Sequence, residues 1–184
     1  QRAQLHHQEE PAQRPGSPRG VEVLPLVQQA HHAQGDALTL NAALVGRTYP
    51  PTSPYVVGRE KVREFATAIG DANPAYHDVD AARALGYSDV VAPPTFAFVI
   101  AYAGSHQAAM DPELGLDYSR VVHGDQRFVY QRPIVAGDEL TSELTVASVK
   151  SLGGNHMVTF ETEIFDAADK LVCTAISTLV VRGE

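Results

Sequence analysis

The sequence predicts one α+β domain in which a curved antiparallel sheet wraps a long central helix, and three observations carry that expectation. A segment running from Pro93-Pro94 through Ala103 toward Met110 is apolar on every side, so as a helix it has to be surrounded. Everything after Val121 alternates apolar and polar residues with a period of two, broken by turn-forming residues, which is the pattern of half-buried strands. The chain has 184 residues, 44% hydrophobic and 20% charged, which suits one core of ordinary size.

The first 40 residues hold seven Gln, four Pro and four of the eight His, with one short apolar run at Val21–Val27. That composition predicts a disordered tail or upstream extension, followed by a folded domain over residues 41–184. Adjacent histidines, His6-His7 and His31-His32, are not a pre-built metal site in such a segment. The tail lacks the ordered charged, apolar and small-residue regions of a secretory signal, and no stretch approaches the roughly 18–20 apolar residues of a membrane span. The expectation is a cytoplasmic protein without a membrane partner. The single Cys173 lies in a hydrophobic stretch and reads as a small core side chain.

Net charge is −8, and the Lys and Arg are scattered, so a nucleic-acid partner is not expected. A local patch including Arg127 and Arg132 is the place where an acidic carrier protein could still dock.

Within the folded part, Tyr49-Pro-Pro-Thr-Ser-Pro54 leads into a short strand-like Tyr55-Val56-Val57. Val62, Phe65, Ala66 and Ile69 then form one apolar helical stripe, which Gly70 stops in a left-handed cap. A second short helix has Asp78 or Asp80 as N-cap, Ala81–Leu85 as body and Gly86 as terminator. The third starts at Pro93-Pro94, where a missing N–H does no harm, and Phe96, Phe98, Val99, Ile100 and Tyr102 are its expected buried side chains. Strands follow at Gln126–Tyr130, Leu140–Val146, Val158–Ile164 and Leu171–Val181. Turns are expected at Gly137-Asp138, Gly153-Gly154-Asn155 and Asp166–Asp169. A helix enclosed by an antiparallel meander, with no internal repeat, is a single hot-dog domain.

Chemistry concentrates in Ala68–His77, where a carboxylate, a carboxamide, a phenol and an imidazole fall within seven residues. Read alone, Asp71 and Asn73 before Pro74 make an Asx-type turn and His77 is a surface residue. The run Gly70-Asp-Ala-Asn-Pro74, with Asp78 and Gly86-Tyr87 following, resembles the Gly-Asp-x-Asn-Pro-aliphatic-His motif of MaoC-like hydratases. The resemblance continues in Val90-Val-Ala-Pro-Pro-Thr-Phe96 and in Arg132-Pro-Ile-Val-Ala-Gly-Asp138, and covers most of residues 47–181. The chain is similar to N-terminal-type MaoC dehydratases, to uncharacterised actinobacterial members, and to accessory subunits of mycobacterial (3R)-hydroxyacyl-carrier-protein dehydratases.

The resemblance implies elimination of water from a 3-hydroxyacyl thioester, or the reverse hydration. That reaction needs a base, a proton for the departing hydroxyl, and donors for an enolate-like oxygen, but no metal or organic cofactor. It implies Asp71 and His77 as catalytic residues with Asn73 orienting the loop, and Tyr76, Pro94, Thr95 and Phe96 as substrate-binding residues. Two positions depart from the pattern. The family's His position is filled by Tyr76, a phenol that titrates near about 10, so His77 serves only if the loop bulges by one residue. Pro93-Pro94 stand at the start of the central helix, where proline has no N–H to donate.

The function expected first is an accessory acyl-binding subunit, acting on acyl-CoA or acyl-carrier-protein thioesters and pairing with a catalytic MaoC-like chain. The alternative is an active homodimeric (R)-specific enoyl hydratase using Asp71 and His77. An acyl-CoA thioesterase, and an acyl-binding domain without a partner, are lesser readings. An exposed edge strand would favour dimers in either case.

Overall fold

The computed structural model describes residues 40–183. The expectation for the N-terminal tail, including the paired histidines, lies outside the described residues. Leu40, the first residue described, is already buried against Tyr49, Ala108 and Leu114.

The alternating second half forms four long strands: β2 (Val121–Tyr130), β3 (Glu139–Leu152), β4 (Asn155–Asp166) and β5 (Leu171–Val181). A two-residue strand, β1 (Tyr55–Val56), pairs with the start of β3. Together they make one antiparallel sheet in the order β1-β3-β4-β5-β2. The β3–β4 hairpin turns on Gly153 and Gly154, both at positive φ (58° and 79°), which a two-residue primed turn requires. Bulges at Val146/Ser148, His123/Asp125 and Ile164/Phe165 bend the strands, and the sheet curls into a half-barrel, the hot-dog arrangement.

Gly124 sits in the β2 bulge, where an added Cβ would lie 2.9 Å from Val180 Cγ2 and 3.3 Å from the Thr178 carbonyl oxygen. A β-branched neighbour and a backbone oxygen leave little room to yield. Gly124→Ala is expected to destabilise the fold by about 1–2 kcal/mol, read as a lower urea midpoint at unchanged slope.

Three α-helices precede or line the sheet: α1 (Arg59–Ala68), α2 (Val79–Ala84) and α3 (Ala97–Ala109). The α1 stripe buries Val62 and Ala66 fully and Phe65 partly. Ile69 departs from the expected stripe: it is half exposed because the chain leaves the helix at Gly70, whose φ of +73° turns it away. Arg63 pairs with Glu60 along the outer face.

α3 differs from expectation in two ways. It begins at Ala97, because Pro94–Phe96 form a tighter turn in which Phe96 N–H donates to the Pro93 carbonyl (2.8 Å). It is also only half enclosed. Ala97, Ile100, Ala101, Gly104 and Ala108 are buried at helical spacing, while Phe98 and Tyr102 remain 40% and 59% exposed. A five-stranded sheet from one chain covers one side of the rod and leaves the other open. At Gly104 the helix passes close to the sheet: a Cβ there would lie in ordinary contact, 3.4 Å from Leu144 Cβ and 3.5 Å from Ser142 Oγ. Among the described residues, no helix is long and apolar enough to cross a membrane.

Candidate functional site

The loop after α1 is built by side chains that replace missing backbone bonds. Gly70 N–H donates to Thr67 O (3.1 Å) and Asp71 N–H to Ala66 O (2.9 Å), closing α1 in a left-handed cap and delivering Asp71 at its end. Asp71 Oδ1 accepts the Asn73 N–H, and Asn73 Oδ1 accepts the Ala75 N–H, each at 3.1 Å. These two Asx turns start the short 3-10 turn Pro74–Tyr76. Asp78 Oδ1 then caps α2 by accepting the Ala81 N–H (2.8 Å), which decides between the two candidate caps.

The imidazole of His77 folds back onto this loop. Its Nε2 lies 2.9 Å from the main-chain oxygen of Asp71. A carbonyl only accepts, so Nε2 carries the proton and, in the neutral ring, Nδ1 holds the lone pair. The His77 carbonyl is in turn held by Arg63 Nε at 2.7 Å. Tyr76 is half-buried between the main core cluster and a small one made by Ala75, Ala82 and Val91. Burial first, and then the negative charge of Asp71, push its phenol above the ordinary range, while the Asn73 side chain partly offsets them. Tyr76 thus packs its ring against the core, while His77, half-buried as well, is turned onto the Asp71 carbonyl.

The other two segments singled out in the sequence join the same structure. Val91 N–H donates to Ala75 O (3.1 Å), Ala92 N–H to Ile134 O (2.8 Å) and Ala136 N–H to Val90 O (3.0 Å). The 132–138 turn is fastened by Arg132, whose guanidinium meets Asp138 (2.8 Å) and Asp166 (3.3 Å), and Asp138 Oδ2 also accepts the Val135 N–H. Two carboxylates so placed offset the charge of Arg132, which leaves Arg127 alone of the pair expected to form a basic patch. Arg59 and Asp89 form a two-pronged contact (2.8 and 2.6 Å) that anchors α1 to the stretch before Val90; the Arg59 guanidinium holds the Asp89 carboxyl below its ordinary range.

At the start of α3, Pro94 and Thr95 are exposed and Phe96 is fully buried, its ring edge-on to Phe65 at 5.3 Å. Phe96 thus supports the corner from beneath. Two surface concavities, of about 290 and 300 Å³, lie around Ser119–Val122 with Arg182 and around Gly46 with Thr145–Ala147. Neither is lined by a residue of the 70–78 loop.

Sequence reasoning did not single out Tyr130. It is the last inward residue of β2, and its hydroxyl donates to the Pro94 carbonyl at 2.7 Å. The alternation of Gln126, Phe128 and Tyr130 placed the three on one face, but which other segment met that face was invisible without the fold.

A family model, the FAS1-like dehydratase domain region, matches residues 43–175. The chain is 58% identical over 146 residues to a UPF0336 protein of Streptomyces avermitilis, covering 79% of this chain and 97% of that one. It is 59% identical over 145 residues to a UPF0336 protein of Leifsonia xyli, with the same coverage. Among solved structures, a MaoC-like dehydratase is similar at 38% identity and a TM-score of 0.71, over 77% of this chain and 43% of that one. The C-terminally truncated HadBC complex of Mycobacterium tuberculosis, a 3R-hydroxyacyl-ACP dehydratase, is similar at 34% identity and a TM-score of 0.65, over 74% of this chain and 96% of the compared one.

Proposed function

Because the chain belongs to the FAS1-like dehydratase-region family, whose structural relatives are MaoC-like hot-dog dehydratases, we propose that it is an acyl-binding accessory subunit that works with a separate catalytic MaoC-like chain. One observation carries this reading: the phenol of Tyr76, at the family's histidine position, packs against the core, while His77 spends its Nε2 proton on the Asp71 backbone. A phenol pushed above its ordinary range is a poor general base near neutral pH. HadBC is a complex, and this chain has a flank suited to a second subunit. Phe98 and Tyr102 are exposed on α3 beside His123 of β2, and β2 is an edge strand whose outer backbone groups are unpaired within the sheet. An acyl cleft at the loop is then completed by the partner's walls. The substrate is a 3-hydroxyacyl or 2-enoyl thioester of CoA or of a carrier protein.

A second reading has its own support. In it the Nδ1 lone pair of His77, half-buried on the same loop as Asp71, is the base of an active homodimeric hydratase. Hydration of a 2-enoyl-CoA by the purified chain, alone and mixed with a candidate catalytic MaoC-like chain, separates the two. The expected result is turnover only on mixing, surviving His77→Ala. Turnover by the chain alone, cut about a hundredfold or more by His77→Ala and untouched by Tyr76→Phe, would establish the homodimeric enzyme instead.

A further inference from the structure

One edge of the sheet is covered and the other is bare. Along β3 the segment before β1 supplies the cover: Gly46 N–H donates to Val146 O (2.8 Å), Tyr49 N–H to Leu144 O (2.8 Å) and Thr52 N–H to Ser142 O (2.9 Å), and β1 continues the row. β2 has no such neighbour on its outer side among the described residues. Gln131 N–H donates to Val172 O (2.9 Å), and an antiparallel ladder alternates from there. Asp125, Arg127 and Val129 therefore turn their backbone groups to β5, while Gln126, Phe128 and Tyr130 turn theirs to the open edge. An antiparallel strand added here has to set its own edge-facing residues opposite these. For a second copy of β2, the two-fold axis then falls on a residue and not between two.

The side chains choose which residue. Asp125 and Arg127 are exposed, share the outer face of β2, and have no ion partner among the described residues. With the axis on Gln126, Asp125 of each copy lies opposite Arg127 of the other. With the axis on Asp125 or on Arg127, like charges meet directly, which is destabilising. On Phe128 all four charges stay unmatched, and on Gly124 the axis falls in the bulge that interrupts the ladder.

Gln126 supplies an independent reason. Its Nε2 donates to the Ile176 carbonyl (3.2 Å), which fixes the sense of the amide and leaves Oε1 buried without a hydrogen-bond partner, the one such side-chain atom among the described residues. A buried acceptor without a donor is costly and rare. The second N–H of Nε2 has only the Arg127 carbonyl, at 3.5 Å. On the axis two such carboxamides stand opposite each other, and each has an N–H to offer the other's oxygen. The last torsion of a glutamine is soft, so the turn that brings them together costs little.

We infer that β2 pairs with the β2 of a second copy of this chain about a two-fold axis at Gln126, joined by a reciprocal carboxamide pair and by two Asp125–Arg127 ion pairs between the copies. Phe98 and Tyr102, exposed on α3 at the same flank, add apolar surface to be covered. Exposed ion pairs contribute little strength and act chiefly on register and choice of partner. The self-pair occupies the flank that the catalytic chain proposed above would use, so a mixed pair forms only once the self-pair opens. It involves no acyl ligand, and its test is independent of that proposal.

The test follows self-association of the full chain by sedimentation equilibrium at low salt. The wild type is expected to dimerise. Asp125→Arg alone and Arg127→Asp alone each weaken the dimer about tenfold or more, and the double variant Asp125→Arg/Arg127→Asp returns to within about threefold of the wild type, because opposite charges meet again. A second arm needs no charge reversal. Asp125→Cys and Arg127→Cys each carry one exposed thiol, since Cys173 is buried. Mixed and mildly oxidised, the two are expected to cross-link with each other, while neither cross-links with itself, because only residues directly opposite come within disulfide reach. A wild type that stays monomeric, a double variant no tighter than the single ones, or cross-linking of Asp125→Cys with itself would overturn the inference. Absence of turnover on mixing with a catalytic chain would strike the accessory role and leave the self-pair standing.

Discussion

Phe96→Ala is expected to cost about 3–5 kcal/mol of folding stability, the range for deleting a fully buried aromatic ring. Phe96 has no exposed surface, meets Phe65 edge-on at 5.3 Å, and packs in the same cluster as Ile100, Ile134 and Val172. Domains of this size typically hold about 5–15 kcal/mol in all, so the loss puts the variant close to unfolding. Phe96→Leu, which refills most of the space, is expected to lose about 1–1.5 kcal/mol. Urea titration of the three proteins reads the difference. The result bears on function because Phe65 belongs to α1, which delivers Asp71, and Phe96 leads into α3. One ring contact joins the two parts of the candidate site. If Phe96→Ala unfolds no more readily than Phe96→Leu, the ring does not hold α1 to the start of α3.

Asp111→Ala should lose about 2–3 kcal/mol, because three donors then lose one acceptor. Asp111 follows α3 and accepts from Arg47 (2.8 Å), from the hydroxyl of buried Tyr49 (2.7 Å) and from the Glu113 N–H (2.9 Å). It ties the segment before β1 to the far end of the central helix. The Tyr49 hydroxyl is the main cause holding the Asp111 carboxyl below its ordinary range, partly opposed by burial. Burial, reinforced by Asp111, pushes Tyr49 up to about 12. The two signs differ. A lowered carboxyl contributes stability that is present above the ordinary carboxylate range and is lost as pH falls below it. A raised phenol contributes stability that is full below about 10 and is lost as pH rises toward 12. Stability measured against pH should therefore decline at both ends. Asp111→Asn should flatten the acid limb and bring the Tyr49 tyrosinate transition down from about 12. An acid limb identical in wild type and Asp111→Asn would contradict this assignment.

The strands were legible because alternation is a local pattern: the expected Leu171–Val181 is β5 to the residue, and Gly153-Gly154 turns where the two glycines predicted. The helix caps were legible for a similar reason, since Gly70 and Asp78 act on neighbours in sequence. The all-round apolar character of α3 was read as a demand for cover on every side, whereas the sheet of this chain covers one side and leaves Phe98 and Tyr102 exposed. The sequence of a single subunit carries no mark separating positions buried by its own strands, such as Ile100, from Phe98 and Tyr102, which it leaves open. In the site, the local Asx turns at Asp71 and Asn73 were readable, whereas the direction taken by His77 and the meeting of Tyr130 with Pro94 depend on contacts across the fold. Spacing in sequence bears on neither.

The sheet-facing side of α3 is made almost wholly of alanine and glycine, at positions 97, 101, 104 and 108, with Ile100 between them. The rod's height over the strands is set by what those residues lack. From Ala97 to Ala108 the axis runs about 16 Å, so bulk added near the distal end works as a wedge under a lever and tilts the Pro94–Thr95 corner at the other. Ordinary-looking small residues far from the loop thereby govern the aim of its neighbour.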